Sequence, residues 1–195
     1  MRIKIINVEI DNHEFFYVTI RGRFAFSVCC IEKAIEHFKL EHLDWSELFE
    51  LFWRYPISDK IKDLALWHEK EMECIPSCVL EDLTYSQKMF SFLNEEQHAK
   101  FKALYQNSNN IILKIIDLTA SVGTQSLYGG VTDGSLITLV FLDEILNLMK
   151  SNQIKLPNIA FFQKFNYAKN PSSDWIVWGD SIPKNMLLSQ SKWLK

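Results

Sequence analysis

A chain of 195 residues has the length of one domain. Its 48% hydrophobic and 13% aromatic content excludes a disordered polymer, and six glycines with five prolines exclude collagen-like or low-complexity character. A net charge of −3 argues against a general nucleic-acid binder, which is usually strongly basic.

The first ten residues, Met1 to Ile10, alternate apolar with charged or polar side chains. They hold no unbroken apolar stretch of the ~7–15 residues that a secretory signal needs. The longest apolar run, Leu136 to Leu142, is interrupted by Thr138 and falls far short of the ~20 residues of a spanning helix. A soluble, cytoplasmic protein is expected. In that compartment Cys29, Cys30, Cys74 and Cys78 are expected as free thiols, acting as small buried hydrophobes.

Period-two alternation in Arg2–Ile5 and Asn7–Ile10 predicts strands with one apolar face. Asp11-Asn12 supplies turn chemistry. Phe15–Ile20 is aromatic and β-branched, the composition of a return strand. Arg21-Gly22-Arg23 reads as a second turn and Phe24–Cys29 as a third strand. The expectation is an N-terminal antiparallel β-meander.

The period then changes. Ile31, Ala34, Ile35 and Phe38 follow the spacing of an amphipathic helix. Asp44, three residues before Glu47, is a capping-box variant, with Trp45, Leu48, Phe49 and Phe52 on one stripe. Pro56 is expected to stop that helix. Ser58 can cap a third, with Ile61, Leu64, Ala65, His68, Met72 and Ile75 on its inner face, ended by Pro76. Thr84 with Gln87 and Asn94 with Gln97 are two further capping pairs, predicting two more helices.

Residues 107–110 break the pattern. Ile111–Thr119 has helical spacing but is short enough to be a buried strand. Residues 123–134 hold four glycines, and a helix over about 136–150 is apolar almost all round, which predicts a central position. Asp174–Trp178 reads as a strand. Strands at both ends around a helical middle give one α+β domain spanning residues 1–195.

Catalytic and metal patterns fail on specific residues. His68-Glu69 opens like a zinc-protease helix, but Met72 stands where the second histidine must be. His68, Cys74 and Cys78 match no zinc spacing. Gly129 and Gly134 have the separation of a phosphate-binding loop, but Ser135 and Leu136 follow where Lys and Ser or Thr are required. Glu69 with Glu73, and Glu32 with Glu36, have i, i+4 spacing and read as solvated helix faces. No catalytic residue, metal ligand set or cofactor is assigned.

Charge is uneven. Residues 32–96 carry fifteen acids and seven bases, a local net of −8, and the remainder is +5. The densest set is Glu36, Glu41, Asp44, Glu47 and Glu50, interleaved with aromatics. A single-sign face speeds encounter with an opposite charge, and aromatics rimmed by acids suit an interface with a basic protein. These five residues are the candidate partner-binding set.

Between Ser126 and Gly179 the chain resembles bacterial toxin-immunity proteins, including those of contact-dependent growth inhibition systems. The resemblance is carried by Ser126-Leu127-Tyr128-Gly129-Gly130, Asp133-Gly134-Ser135-Leu136, Ile154-Lys155-Leu156-Pro157-Asn158 and Trp178-Gly179. It implies a cytosolic, non-enzymatic protein that binds one cognate toxin domain, with no direct contact to nucleic acid and no membrane insertion. Toxin nucleases are usually basic because they bind phosphate backbones, which suits an acidic inhibitor. Two rivals stand beside this. One is a small enzyme with a site near the 123–134 loop, using Tyr128 and Asp133. The other is a subunit of a complex unrelated to toxins.

Overall fold

The structure is a computed structural model. It describes residues 3–5, 8–10, 13–59, 61–81, 84–127, 131, 134–169 and 177–194, the side chains of 3–5, 8–10, 13 and 61–63 excepted. The expected α+β architecture is not what forms, because the described residues are overwhelmingly helical. Two three-residue strands, β1 (Ile3–Ile5) and β2 (Val8–Ile10), pair as a hairpin. This pairing adds no sheet layer to the fold. The turn expected at Asp11-Asn12 lies outside the described residues.

The meander fails because residues 20–37 form one helix, α1 (Ile20–His37). Phe24, Ala25, Phe26, Val28, Cys29 and Cys30 are all buried, on every side of this helix. A helix enclosed all round needs no polar face, so its sequence loses the 3.6-residue period and its aromatic, β-branched composition mimics a strand. Thr19 caps it, its hydroxyl accepting from the Gly22 N–H at 3.1 Å. Thus Arg21-Gly22-Arg23 is the first turn of α1 and not a hairpin turn.

The other long helices are α2 (Ser46–Ile57), α3 (Ile61–Cys74), α5 (Glu95–Gln106), α6 (Asn110–Thr124) and α7 (Leu136–Ser151). Single turns α4 (Pro76–Val79), α8 (Ile159–Phe162) and α9 (Lys184–Leu187) link or follow them. Helix α1 packs on α6, α7 and α2, and α6 also packs on α7. So the central helix is α1; α7, expected in that role, buries one side. Residues 111–120 are helical within α6. Pro56 lies inside the last turn of α2 rather than ending it.

Two further expectations shift. The Asn94–Gln97 pair forms a reciprocal capping box at the start of α5. The Thr84–Gln87 pair starts no helix: residues 87–89 make a turn. On α3 the buried side is Leu64, Trp67, Glu71 and Cys74, while Ala65 and Met72 face outward. The expected C-terminal strand falls largely on residues outside the described set. Its last two residues, Val177 and Trp178, lie in a turn. Their carbonyls accept from the N–H groups of Ile20 (2.8 Å) and Arg21 (3.2 Å), satisfying two donors that the first turn of α1 leaves without intrahelical partners.

Candidate functional site

The five predicted acids sit along the end of α1, the following loop and the start of α2, but not as one unopposed negative surface. Glu36, in the last turn of α1, meets Lys33 at 2.8 Å and Lys192 at 3.2 Å. Burial works against its charge, and the two lysines outweigh burial, so the carboxyl titrates below its ordinary value. Glu41 lies in the loop, 3.8 Å from the same Lys192. Asp44 holds the first residue of α2, its carboxylate accepting from the Ser46 N–H at 3.1 Å and from the Ser46 hydroxyl. Such a carboxylate also suits the positive end of the helix dipole.

Glu47 and Glu50 face outward from α2. They form the lip of a narrow groove between α2, α3 and α5, floored by Leu51, Leu93 and Phe101. Glu50 pairs with Arg54 at 2.5 Å, both side chains well exposed. A pair this exposed contributes little to stability. Glu47 has no ion-pair partner among the described residues. Lys70 lines the groove beside it, and Lys100 of α5 feels both Glu47 and Asp44 while pairing with Glu96 at 2.9 Å. The structure therefore places Glu47 and Glu50 on α2 with Asp44 just ahead of its first turn, and gathers Glu36 and Glu41 separately around Lys192.

Part of the acidity counted along the chain is turned inward. Glu32 is buried and accepts from the Ser191 hydroxyl and the Lys192 N–H. Glu71 is fully buried, and neither of its oxygens has a hydrogen-bond partner among the described residues. His68 Nδ1 stands 3.6 Å from it. Burial raises the Glu71 carboxyl above its ordinary range, against the pull of His68. Glu73, expected on a solvated face, instead accepts four bonds. They come from the Ser91 N–H (2.7 Å), the Ser91 hydroxyl (2.8 Å) and the N–H groups of Phe92 (2.8 Å) and Leu93 (2.9 Å). Donors converging on an ionised carboxylate make stronger bonds than neutral pairs. This anchor ties the segment before α5 to α3, and no helical spacing signals it.

The residues that sequence reading missed most are Arg21 and Arg23. Arg23 is fully buried. It donates to the carbonyls of Phe15 (3.1 Å), Phe16 (2.8 Å) and Ser135 (2.9 Å), and to Thr138 Oγ1 (2.7 Å). Burial lowers its pKa to about 9. It fastens the start of α7 to the segment before α1. Arg21 donates to the carbonyls of Tyr55 (2.8 Å), Pro56 (3.3 Å) and Ser58 (2.5 Å), closing the last turn of α2. The only hint in the sequence was two long cations inside an otherwise apolar stretch.

Near the glycine-rich segment, Gly134 has φ +70° and Ser135 φ +52°, and the Ser126 and Ser135 hydroxyls meet at 2.8 Å. Tyr128 and Asp133, on which an enzymatic reading depended, lie outside the described residues, as do Gly129 and Gly130. Gly123 belongs to α6, not to a loop. Cys29, Cys30 and Cys74 are buried free thiols. Burial pushes Cys74 up to about 12 and the other two well above the ordinary thiol value. Reactive thiolates need the opposite shift.

Among the described residues no group of three or more His, Cys, Asp or Glu could hold a metal ion. None of the described helices is long and apolar enough to cross a membrane. Compared with protein-family models, curated proteins and solved structures, the chain matches none.

Proposed function

We propose that the protein is a non-enzymatic, cytoplasmic immunity protein that binds and neutralises a cognate, nuclease-type toxin domain through the acidic side of α2. The observation that carries this reading is the groove between α2, α3 and α5, which sets Glu47 and Glu50 over an apolar floor of Leu51, Leu93 and Phe101. Apolar anchoring ground with charge at its rim is the anatomy of a protein interface. On a rim that also carries Arg54 and Lys70, Glu47 is the acid without an ion-pair partner among the described residues, and it favours a basic partner and sets its approach. A nuclease-type toxin, built to hold phosphates, presents that basic surface. The resemblance of residues 126–179 to immunity proteins supports the same reading.

Co-expression tests it. The partner to use is the C-terminal domain of a large secreted protein encoded immediately upstream. The protein is expected to relieve growth inhibition by that domain and to co-purify with it as a stoichiometric complex. Growth inhibition that persists, with no complex recovered, contradicts the proposal. Capture of a basic protein unconnected with toxicity would move the protein to a different kind of complex.

A further inference from the structure

The segment from Gln190 to Leu194 lies across α1 and α2 next to the acids gathered around Lys192. The Gln190 carbonyl accepts from Cys29 Sγ at 3.6 Å. The Ser191 hydroxyl donates to Glu32 and the Lys192 N–H donates to it at 3.2 Å. The same hydroxyl accepts from the N–H groups of Trp193 (3.1 Å) and Leu194 (3.0 Å), which closes the segment into a tight turn. Two side chains then point at α1 and α2. Lys192 reaches Glu36 at 3.2 Å and Glu41 at 3.8 Å. Trp193 stacks on Phe49, ring centroids 5.2 Å apart and planes within 14°.

This docking carries two costs. Glu32 is a carboxylate held out of water. The Trp193 indole N–H is buried with no acceptor among the described residues, and an unmade bond at a buried donor opposes burial. Lys192 is 44% exposed, so its ion pairs are screened by salt. What remains is a surface with a fixed chemistry: two acids for a cation, a flat ring for an aromatic, and a buried acceptor for a hydroxyl or amide.

We propose that this corner of α1 and α2 is a binding site for a partner segment in which a lysine adjoins an aromatic residue, and that Ser191–Leu194 occupies it in the free protein. The chain's own Lys192-Trp193 pair shows which groups the surface accepts. A basic partner carrying the same pair meets Glu36, Glu41 and Phe49 once the resident segment is displaced. The inference rests on the reading of the protein as a binder of a basic partner, and it adds the side-chain chemistry that partner presents.

The test uses the full chain and a fluorescent peptide with the sequence of residues 188–195, read by anisotropy. Wild-type protein holds its own segment and takes up the peptide weakly. Trp193→Ala loosens the resident segment and is expected to bind the peptide at least tenfold more tightly. That gain is expected to vanish when Glu36→Lys is added, and with a peptide whose lysine is replaced by glutamate. Lys192→Glu releases the segment without touching the stacked ring and serves if Trp193→Ala loses helical circular dichroism. Equal uptake by wild type and both variants overturns the proposal, as does a gain that survives Glu36→Lys. A toxin domain that co-purifies while the peptide is refused overturns this inference alone. Peptide exchange without any captured toxin overturns only the functional reading.

Discussion

Burial pushes the Glu32 carboxyl from its ordinary 4.5 up to about 7, against the Ser191 and Lys192 bonds that favour its charge. The folded protein therefore holds this proton more tightly than the unfolded chain does. Its stabilising contribution is full below about 4.5 and is lost as pH rises through about 7. Glu32→Gln removes the titration while keeping an acceptor for Ser191. Denaturant melts at pH 5 and pH 7.5 are expected to show a smaller loss of stability for the variant than for wild type. An unchanged difference between the two pH values would show that Glu32 does not titrate in this window. At the same scale lies most of what the sequence concealed. Glu71 and Glu73 sit two apart on one helix, and Glu73 was expected on a solvated face. One is enclosed without a hydrogen-bond partner among the described residues, and the other gathers four donors. Only tertiary packing separates them.

The elements whose ends are set by local chemistry were legible, and those set by burial were not. Asn94 and Gln97 begin α5 because each satisfies an N–H that the helix leaves open. The first half of α1 was opaque, because a helix surrounded by partners carries no period to read, whereas its second half, from Ile31, showed helical spacing. The inner side of α3 was misplaced for a related reason: Met72 looks like a core residue and Glu71 does not, yet the heptad-like row Leu64, Trp67, Glu71 and Cys74 faces inward. Gly123 shows how closely the central helices approach. A Cβ there would lie 2.8 Å from the ring of Phe24 and 3.1 Å from that of Trp67. Both neighbours are buried among other aromatics, so neither ring has space to yield. Helix propensity alone favours Gly123→Ala by about 1 kcal/mol, whereas overpacking costs about 1–3 kcal/mol. The substitution is expected to lower unfolding stability by about 1–2 kcal/mol. A gain in stability in chemical denaturation would show that α1 and α6 are less tightly apposed.

Over the whole molecule one hydrophobic core runs from Phe15 to Leu194, and charge is arranged more evenly than its order along the chain suggests. The stretch of net −8 loses Glu32 and Glu71 to the interior, commits Glu73 to backbone donors, and meets Lys192 and Lys100 from later in the chain. Linear counting could not anticipate those lysines, since their positions depend on the fold. Among the acids that stay exposed are Asp44, just before α2, and Glu47 and Glu50 on its outer side. Their role is measured most directly in stopped flow, by the association rate between the protein and the toxin domain proposed as its partner. Reversing both lip charges, Glu47→Lys with Glu50→Lys, is expected to slow association about tenfold at low salt. The difference is expected to shrink as ionic strength rises. Equal rates for wild type and the double variant across the salt range would contradict the assignment of this surface to the partner.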